Sequence, residues 1–500
     1  MADIEGRTWS PPETVPRLVP TVRTRAREAY RAPDKEVLMA ETIAFDGRLV
    51  TPADADFEEA VLGRIFNARR PARRPEAVLF AASERDVVAG VELARERGWT
   101  VAVRSGGHSW AAWSVRDGGL LIDLGGWHEL AYDPATQIAT ASPSTKGGDE
   151  LVPFLASHGR FFNGGHCPPV GIGGFLLQGG QGWNQRGWGW GAESVVAVDV
   201  VTADGELVRA DAAQHSDLYW AARGAGPSFP GVVTRFHLAT RPLHGGLAHT
   251  VQGFRREDFA EVMGWMYEVT HRIPANVEIV VVGMHPRDET GAHGPEPILL
   301  VTGLAFGDDL AHAQASLAKL RTNPVLDRAL FVKDAVPSTL EEQKAEQLRQ
   351  NPDDHRYLAD NIWVDGEPAE IVERIRPLFT ELPTKKAFTI WMSNLPTRAL
   401  PDMAFSLQTG AYVATYCVYE DAAEEAANRA WMDASFAGAQ PVTAGQYLGD
   451  SDFTHRQLRF MADANFARLQ EIIAARDPDG RFARYPAKDP ATLNRNHWEL

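Results

Sequence analysis

The first half of the chain alternates short apolar runs with a helical pattern. Apolar runs at Ala77–Phe80 and Trp99–Val103 flank Ser83–Arg97, where apolar residues recur at helical spacing. Ser83 is a typical N-cap residue, and Gly98 fits the position that follows the last helical turn. This pattern predicts a strand, a helix and a strand in succession, which is typical of mixed α and β folds.

More strands are predicted up to residue 242. Alternation over Ser194–Thr202, the turn residues Asp204 and Gly205, and the run Leu207–Arg209 together indicate a β-hairpin. A short helix is expected at His215–Arg223. The other predicted strands are Leu120–Leu124, Ile138–Ala141 and Val232–Leu238.

After a break near Pro242 the pattern changes to longer strands separated by amphipathic helices. The predicted strands are Ala248–Gly253, Val277–Met284, Ile298–Phe306, Phe388–Met392 and Ala411–Tyr419. The predicted helices are Asp258–Arg272, Asp309–Lys319, Glu367–Thr380 and Asp421–Phe436. The pattern predicts an antiparallel sheet with helices on one face, and so an α+β fold. A last helix, Phe453–Arg476, and an irregular tail follow, while the Pro-rich start carries a short helix near Pro20–Tyr30.

Composition narrows the functional class. Of the 500 residues 44% are hydrophobic and 23% are charged, with a formal net charge of −16. Such an acidic chain argues against nucleic acid or an anionic membrane as a partner. Two cysteines exclude a disulfide framework, although Cys167 and Cys417 could still pair. We expect a cytoplasmic protein, because no apolar signal region and no long apolar span is found.

Two glycine-rich stretches carry the candidate chemistry. Gly164–Glu193 contains Cys167, and Val101–Trp110 runs from an apolar strand through Gly-Gly to His108. Such loops let the backbone approach a flat or charged ligand, since no Cβ is in the way. Taken singly, His108 could bond a loop carbonyl and Cys167 could be a small buried hydrophobe. The basic cluster Arg69–Arg74 could reach a phosphate, but a solvated turn is the more common meaning.

Standard nucleotide and hydrolase motifs do not explain these stretches. Gly187-Trp-Gly-Trp-Gly-Ala192 fits the dinucleotide fingerprint on paper, but a strand-like run follows it where a helix is required. The P-loop, the H-E-x-x-H, C-x-x-C and G-x-S-x-G motifs are absent from the sequence.

The full set of motifs resembles a flavoprotein family. From residue 75 to residue 242 the chain is similar to the PCMH-type FAD-binding domain of the vanillyl-alcohol oxidase and berberine-bridge-enzyme-like oxidases. The matching segments are Ala102-Val-Arg-Ser-Gly-Gly-His108-Ser, Gly118-Gly-Leu-Leu-Ile-Asp123, His166-Cys-Pro-Pro-Val-Gly171, Gly179-Gly-Gln-Gly182, Val200-Val-Thr-Ala-Asp-Gly205, Asp217-Leu-Tyr-Trp-Ala-Ala-Arg223, Asp477-Pro-Asp-Gly-Arg-Phe482 and Asn494-Arg-Asn496.

The resemblance implies three parts and a covalently held cofactor. Residues 1–243 would form an arm and a two-lobed FAD domain with its core at 75–242, residues 244–449 a substrate domain, and 450–500 a segment returning to the FAD domain. His108 would bond the flavin 8α-methyl and Cys167 the flavin C6, with His166 helping to deprotonate the thiol. The predicted cofactor-binding residues are Arg104, Ser105, Gly106, Gly107, His108, Ser109, Cys167, Val170, Gly171, Gly173, Gly174, Gly180, Gly182, Val232, Tyr447, Asn494 and Asn496.

The resemblance also implies the reaction. An alcohol or related C–H donor would lose hydride to flavin N5 while a protein base takes a proton. Val170 occupies the position of the family's oxygen-gate residue, and valine there indicates an oxidase that makes hydrogen peroxide from O₂. Tyr447 is the first candidate base, followed by Tyr416 and Tyr412 on one face of a strand. Each of the three could equally be a core tyrosine.

Departures from the family pattern fall where substrate is bound. Cys-Pro-Pro stands where Cys-Pro-Thr is common, and Tyr447-Leu-Gly-Asp450 replaces a usual Tyr-Val-Asn. The substrate is expected to be a small molecule with an aromatic or sugar-like ring. A dehydrogenase with another electron acceptor and a flavin- or ligand-binding protein without turnover are the alternatives. No metal site and no particular oligomeric state is predicted.

Overall fold

A computed structural model describes residues 44–496, apart from residues 289 and 488. The helix predicted near Pro20–Tyr30 lies outside the described residues. The strands are β1 (Arg48–Val50), β2 (Ala77–Phe80), β3 (Val101–Arg104), β4 (Leu120–Asp123), β5 (Leu130–Asp133), β6 (Ile138–Ala141), β7 (Arg160–Phe161), β8 (Val195–Val201), β9 (Leu207–Asp211), β10 (Val232–Ala239), β11 (Arg241–Pro242), β12 (Gly246–Arg255), β13 (Val277–Met284), β14 (Ile298–Gly307), β15 (Phe331–Ser338), β16 (Arg356–Val364), β17 (Phe388–Ser393), β18 (Ala411–Tyr419) and β19 (Thr443–Gly445).

Helices separate many of these strands. They are α1 (Phe57–Leu62), α2 (Glu84–Arg97), α3 (Val152–Ala156), α4 (Ile172–Leu177), α5 (Gln185–Trp188), α6 (Ser216–Ala221), α7 (Phe259–Val269), α8 (Leu310–Ser316), α9 (Leu340–Gln350), α10 (Pro368–Thr380), α11 (Glu425–Gly438) and α12 (Asp463–Arg476). Among the described residues, none of the helices has the length and apolar character needed to cross a membrane.

The first sheet is small and mostly parallel, in the order β1-β2-β4-β3. Helix α2 connects β2 to β3, which confirms the predicted strand–helix–strand unit. The Ser83 hydroxyl accepts the Asp86 N–H at its start, and Gly98 ends it with a left-handed φ of 65°. Parallel pairing places Arg104 beside Asp123 at the ends of β3 and β4. The loop that carries His108 begins at this edge.

The second sheet is antiparallel, in the order β5-β6-β10-β8-β9. The predicted hairpin is confirmed, because Val201 pairs with Leu207 across the turn. The inward side chains of this sheet pack with α6 and α12 in one hydrophobic cluster. The short strands β7 and β11 pair separately.

The third sheet has eight antiparallel strands, in the order β15-β12-β14-β13-β17-β18-β16-β19. The five predicted strands are present, and β15, β16 and β19 extend the sheet. Helices α7, α8, α10 and α11 contribute to the core on one face. Alternation along β18 sends Val413 and Cys417 into that core and Tyr412 and Tyr416 to the opposite face. The helix-covered antiparallel sheet confirms the predicted α+β class.

One local prediction was wrong and another holds only in part. The last helix begins at Asp463 rather than Phe453, since residues 453–462 form an irregular segment with Phe453 and Leu458 buried. The basic cluster lies in a bend in which Arg70 is exposed and the other three arginines are half-buried, so it is only partly the solvated turn that was expected. Arg73 donates to the carbonyls of Ala111 and Val115, and the other arginines of the cluster bond Glu425, Ile65 and Glu58.

Candidate active site

A cavity of about 1250 Å³ extends from the end of β3 to the open face of the eight-stranded sheet. This volume exceeds the roughly 300–1,000 Å³ of an ordinary ligand pocket, so the cavity has room for a large cofactor and a substrate together. Its wall includes most of the predicted cofactor residues, which are Arg104, Ser105, Gly106, Gly107, His108, Ser109, Cys167, Val170, Gly171, Gly173, Gly174 and Tyr447.

Arg104 anchors the loop that carries His108. Its Nε donates to Asp123 at 2.6 Å, and both side chains are almost fully buried. Its other guanidinium nitrogens donate to the carbonyls of Ala60 and Val61. The charge of Arg104 is therefore used within the protein, and its contribution to the cavity is to hold the base of the loop in place.

The His108 imidazole stacks on Phe66, with ring centroids 4.7 Å apart and planes 21° from parallel. Within the described part of the chain it has no hydrogen-bond partner, so it does not bond a loop carbonyl. Burial lowers the pKa of His108 to about 4, and the nearby charges of Lys146 and Arg64 add to the effect. The imidazole is neutral at physiological pH and keeps a free nitrogen lone pair.

Cys167 is a free thiol on the cavity wall. Burial raises its pKa to about 12, with smaller contributions from Asp149, Asp353 and Asp450. Cys417 is buried in the core beneath the helices, on the other face of the sheet, and the two thiols are not paired.

His166 does not serve Cys167 as predicted. Its Nε2 lies 3.0 Å from both carboxylate oxygens of Glu278, at the start of β13. The ring also packs against Trp183, at a centroid distance of 4.3 Å. Glu278 in turn accepts the backbone N–H of Asn184 at 2.7 Å. His166 therefore connects the cysteine loop to the eight-stranded sheet.

The two candidate loops touch each other through glycines. A Cβ on Gly106 would lie 2.6 Å from the backbone nitrogen of Gly171. A Cβ on Gly173 would lie 2.8 Å from the Ser105 hydroxyl oxygen. Gly107 has a φ of 80°, a region that favours glycine. These contacts fix the spacing between the backbones that carry His108 and Cys167.

The cavity wall fits FAD by the donors that it leaves open. The backbone N–H groups of Gly106, Gly107 and His108 have no partner among the described residues, so phosphate or flavin oxygens could accept from them. Further along the wall, the Trp113 Nε1 and Arg116 Nε atoms are buried donors without a partner in the described structure. Sequence reasoning missed both residues, because neither forms part of a glycine motif.

Arg116 is a buried cation at this end of the cavity. Burial lowers its pKa to about 10, with Arg73 nearby, so it remains charged at neutral pH. One nitrogen donates to the Arg484 carbonyl at 3.0 Å. The segment around Arg484 returns to β3, where Val101 pairs with Phe482. A positive group here suits the pyrophosphate of FAD.

Three tyrosines stand near the other end of the cavity. Tyr447 and Tyr416 line the wall, whereas Tyr412 lies behind it and donates to Asp450 at 2.6 Å. The Tyr447 hydroxyl accepts the Gln181 N–H at 3.2 Å. Burial raises the pKa of all three hydroxyls above the ordinary value. None of them is by itself a strong base.

The structure places five predicted cofactor residues off the cavity wall. Gly180 and Gly182 shape the turn that carries Gln181, where a Cβ on Gly182 would meet the Asn163 carbonyl. Val232 is buried in β10 beside the wall residue Val233. Asn494 and Asn496 hold the C-terminal segment in place. The Asn494 side-chain oxygen accepts the backbone N–H groups of residues 460 and 461, and that of Asn496 accepts the N–H of residue 459.

Comparison with known proteins adds independent information. A family profile described as an FAD binding domain matches residues 75–211. The FAD-linked oxidoreductase nodO of Hypoxylon pulicicidum is 35% identical over 451 residues, which are 89% of this chain and 98% of that protein. 6-Hydroxy-D-nicotine oxidase of Arthrobacter nicotinovorans has a TM-score of 0.75 at 23% identity, over 90% of this chain and 100% of the other. Berberine bridge enzyme of Eschscholzia californica has a TM-score of 0.74 at 16% identity, over 91% and 97%.

Proposed function

The chain belongs to the FAD-linked oxidoreductases and has the berberine-bridge-enzyme-like fold, and from this premise we propose that it is an oxidase with bicovalently bound FAD. Its substrate is an alcohol or related C–H donor, and O₂ is the acceptor and becomes H₂O₂. When bound, FAD supplies the hydride acceptance at N5 and the return of two electrons to oxygen. The observation that carries the proposal is the placement of His108 and Cys167 on one cavity wall, on loops in backbone contact.

Both attachment residues have suitable chemistry in their surroundings. His108 is neutral and free of hydrogen bonds, which leaves it nucleophilic. Cys167 reacts as the thiolate, and its raised pKa makes deprotonation the demanding step of its attachment. The open donors of Gly106–His108 and the cation of Arg116 would hold the cofactor before the bonds form.

The oxygen assignment rests on Val170. This residue lies on the cavity wall, and its carbonyl accepts the Gly147 N–H at 2.9 Å. Its backbone is fixed three residues from Cys167, where the family resemblance locates the oxygen gate. A valine side chain leaves more room there than a larger aliphatic one, which favours access of O₂.

The substrate side of the cavity favours an apolar or aromatic substrate over a sugar. The sheet face presents Val280, Val282 and Met284 from β13, and apolar residues of β14 and β17 extend it. A sugar hydroxyl group that lay against these apolar side chains without a partner would cost about 1–3 kcal/mol. The additional apolar residues on the wall are Leu300, Leu304, Ile390 and Met392.

Polar residues of β15 and α9, such as Lys333, Glu342 and Gln343, also line the cavity. The polar groups that we propose to act on the substrate lie toward the end of the apolar surface that is nearest Cys167. Tyr416 and Tyr447 line the cavity there, and Glu278 lies at the end of β13 that His166 contacts. We propose that the two tyrosine hydroxyls contact the O–H or N–H that loses its proton. Tyr412 supports them from behind through its bond to Asp450. The substrate is thus a small molecule with an apolar body and one polar reacting end.

A peroxide screen tests this function. Purified yellow protein is mixed in air with cinnamyl alcohol, 2-naphthalenemethanol, glucose and xylobiose, and H₂O₂ is measured with a peroxidase-coupled dye. We expect peroxide from the aromatic alcohols and little from the sugars. Peroxide from the sugars alone would contradict the substrate class. Anaerobic reduction of the flavin without peroxide formation in air would contradict the oxidase assignment.

A further inference from the structure

Asp450 is a half-buried carboxylate that joins two parts of the site. Its Oδ1 accepts from the Trp110 indole at 2.8 Å, two residues beyond His108. Its Oδ2 accepts from the Tyr412 hydroxyl at 2.6 Å, on the eight-stranded sheet. Asp450 is itself on the cavity wall.

Asp450, unlike the carboxylates of Asp123 and Asp360, has no cationic partner. Asp86 is also unpaired, but three backbone N–H groups hold it at the start of α2, away from the cavity wall. Asp123 is paired with Arg104, and Asp360 with Arg456 at 2.6 Å. Within the described chain, no lysine, arginine or histidine is within ion-pair distance of Asp450. A carboxylate that is partly withdrawn from water without a cationic partner is costly to a fold. Such a group at a cavity is more typical of a functional site than of a structural one.

Tyr416 connects Asp450 with the space that the substrate would occupy. Its ring lines the cavity and stacks on Phe388, with centroids 4.7 Å apart. Burial raises the pKa of Asp450, while hydrogen bonds from Tyr412, Trp110 and Tyr416 oppose that shift. The Tyr416 ring also packs against the Trp110 ring at a centroid distance of 5.5 Å, and the Trp110 indole donates to Asp450, so the Tyr416 side chain is a close neighbour of the carboxylate.

The other titratable groups near Asp450 do not compete for this role. The pKa of the Tyr447 hydroxyl and that of the Cys167 thiol are both raised, so both groups stay protonated, and within the described chain neither is hydrogen-bonded to a carboxylate that could receive its own proton. His166 is held by Glu278 and makes no hydrogen bond to Asp450.

We infer that Asp450 is the final acceptor of the substrate proton, with the Tyr416 hydroxyl as the relay. This inference rests on the proposed oxidase function. The substrate O–H bond breaks and its proton moves to the Tyr416 oxygen, while the Tyr416 proton moves to the carboxylate. The substrate C–H electron pair leaves as hydride to the bound flavin, and a C=O bond forms. Asp450 then returns its proton to water between turnovers.

The first test compares Asp450→Asn with Asp452→Asn. Asparagine keeps the size of Asp450 and one of its two acceptor atoms, but it cannot accept the proton. Asp452, two residues away, is off the cavity wall and is 3.5 Å from Arg69. The substrate is the aromatic alcohol, of the two, that reduces the flavin of the parent faster in the absence of oxygen. Stopped-flow absorbance measures the rate of flavin reduction from pH 5 to pH 9.

Loss of the acceptor should slow reduction by about 10²–10⁴-fold in Asp450→Asn. In the parent, the rate of flavin reduction should rise with pH as Asp450 loses its proton. This rise should be absent from Asp450→Asn. Asp452→Asn should keep both the rate and the pH profile. An Asp450→Asn rate within about threefold of the parent, well short of a general-base effect, would overturn the relay and leave the oxidase function standing. If neither alcohol reduces the parent, both proposals fail.

The second readout is independent of turnover. A carboxyl whose folded-state pKa is raised destabilises the folded state as pH rises through that pKa, because the unfolded chain loses the proton more easily. Asp450→Asn removes this effect. The melting temperature of Asp450→Asn relative to that of the parent should therefore be highest at neutral pH and should fall as pH is lowered. A relative melting temperature that does not change with pH would show that Asp450 has no raised pKa in the folded protein, and it would overturn the inference.

Discussion

A Cβ on Gly171 would lie 2.9 Å from the Cα of Gly106, so the backbones of the two candidate attachment loops are in direct contact. One loop carries His108 two residues later, and the other carries Cys167 four residues earlier. This contact sets where both nucleophiles stand relative to one ligand. It gives the two glycine-rich stretches a shared structural purpose.

Gly171→Ala should therefore separate the loops. Gly171 has a φ of −66°, which alanine adopts freely, so the effect would come from the contact and not from backbone strain. Overpacking of this kind costs about 1–3 kcal/mol, and the flavin-to-protein ratio should fall with it. Flavin content and the unfolding free energy measure both effects. Gly126→Ala, where a Cβ meets open space, is the matched control and should leave both unchanged.

The two attachment bonds should differ in their dependence on pH. The pKa of His108 is about 4, so its attachment rate should be constant above about pH 5, where the imidazole is already neutral. The pKa of Cys167 is about 12, so its thiolate fraction and its rate should rise about tenfold per pH unit between pH 6 and pH 9.

Timed incubation of flavin-free Cys167→Ala and His108→Ala proteins with FAD separates the two bonds. The flavin that stays with the acid-precipitated protein is measured at each pH. A flat profile for attachment through Cys167 would show that bound FAD lowers the thiol pKa strongly or that another group activates it.

Hydrophobic periodicity predicted most of the fold, and its failures have physical causes. β16 was missed because buried polar residues interrupt its apolar pattern, with Asp360 paired to Arg456 and Asn361 bonded to Tyr447. β15 is an edge strand whose first four residues are exposed, so it lacks a clear alternation. Both strands are stabilised by residues that are distant in sequence, which local periodicity cannot show.

The sequence predicted the loops of the candidate site but not the polar contacts between distant residues. Glycine spacing and the family resemblance located the loops of His108 and Cys167, which the structure brings to one cavity. The surroundings of Asp450 could not be predicted from the sequence, because its partners Trp110 and Tyr412 come from distant parts of the chain. The partner of His166 was equally hidden, since Glu278 lies 112 residues away.

Val170→Leu should slow reoxidation of the reduced flavin by O₂. The added methylene would narrow the wall beside Cys167, while the substrate surface on the sheet is untouched. Stopped-flow mixing of reduced protein with oxygenated buffer measures this step, and anaerobic reduction by the substrate should keep its rate. Val170→Ala, which enlarges the passage, should reoxidise at least as fast as the parent. Equal oxygen rates in all three proteins would place the gate elsewhere.

The two cavity tyrosines should respond differently to loss of the hydroxyl. Tyr416→Phe interrupts the path to Asp450 and should slow anaerobic reduction by about 10²–10⁴-fold. Tyr447→Phe removes a hydroxyl that accepts a backbone N–H, so we expect a loss of about tenfold, which corresponds to one ordinary hydrogen bond. If Tyr447→Phe slowed flavin reduction more than Tyr416→Phe, the catalytic base would instead be Tyr447, which was the first candidate from the sequence.

The central claim is that His108 and Cys167 both bond the flavin, and acid precipitation tests it most directly. Parent, His108→Ala, Cys167→Ala and the double variant are denatured, and the pellet and the supernatant are scanned in the visible range. The claim predicts yellow pellets for the parent and both single variants, and a colourless pellet for the double variant. A colourless pellet from the parent, or flavin released by one single variant, would contradict bicovalent attachment.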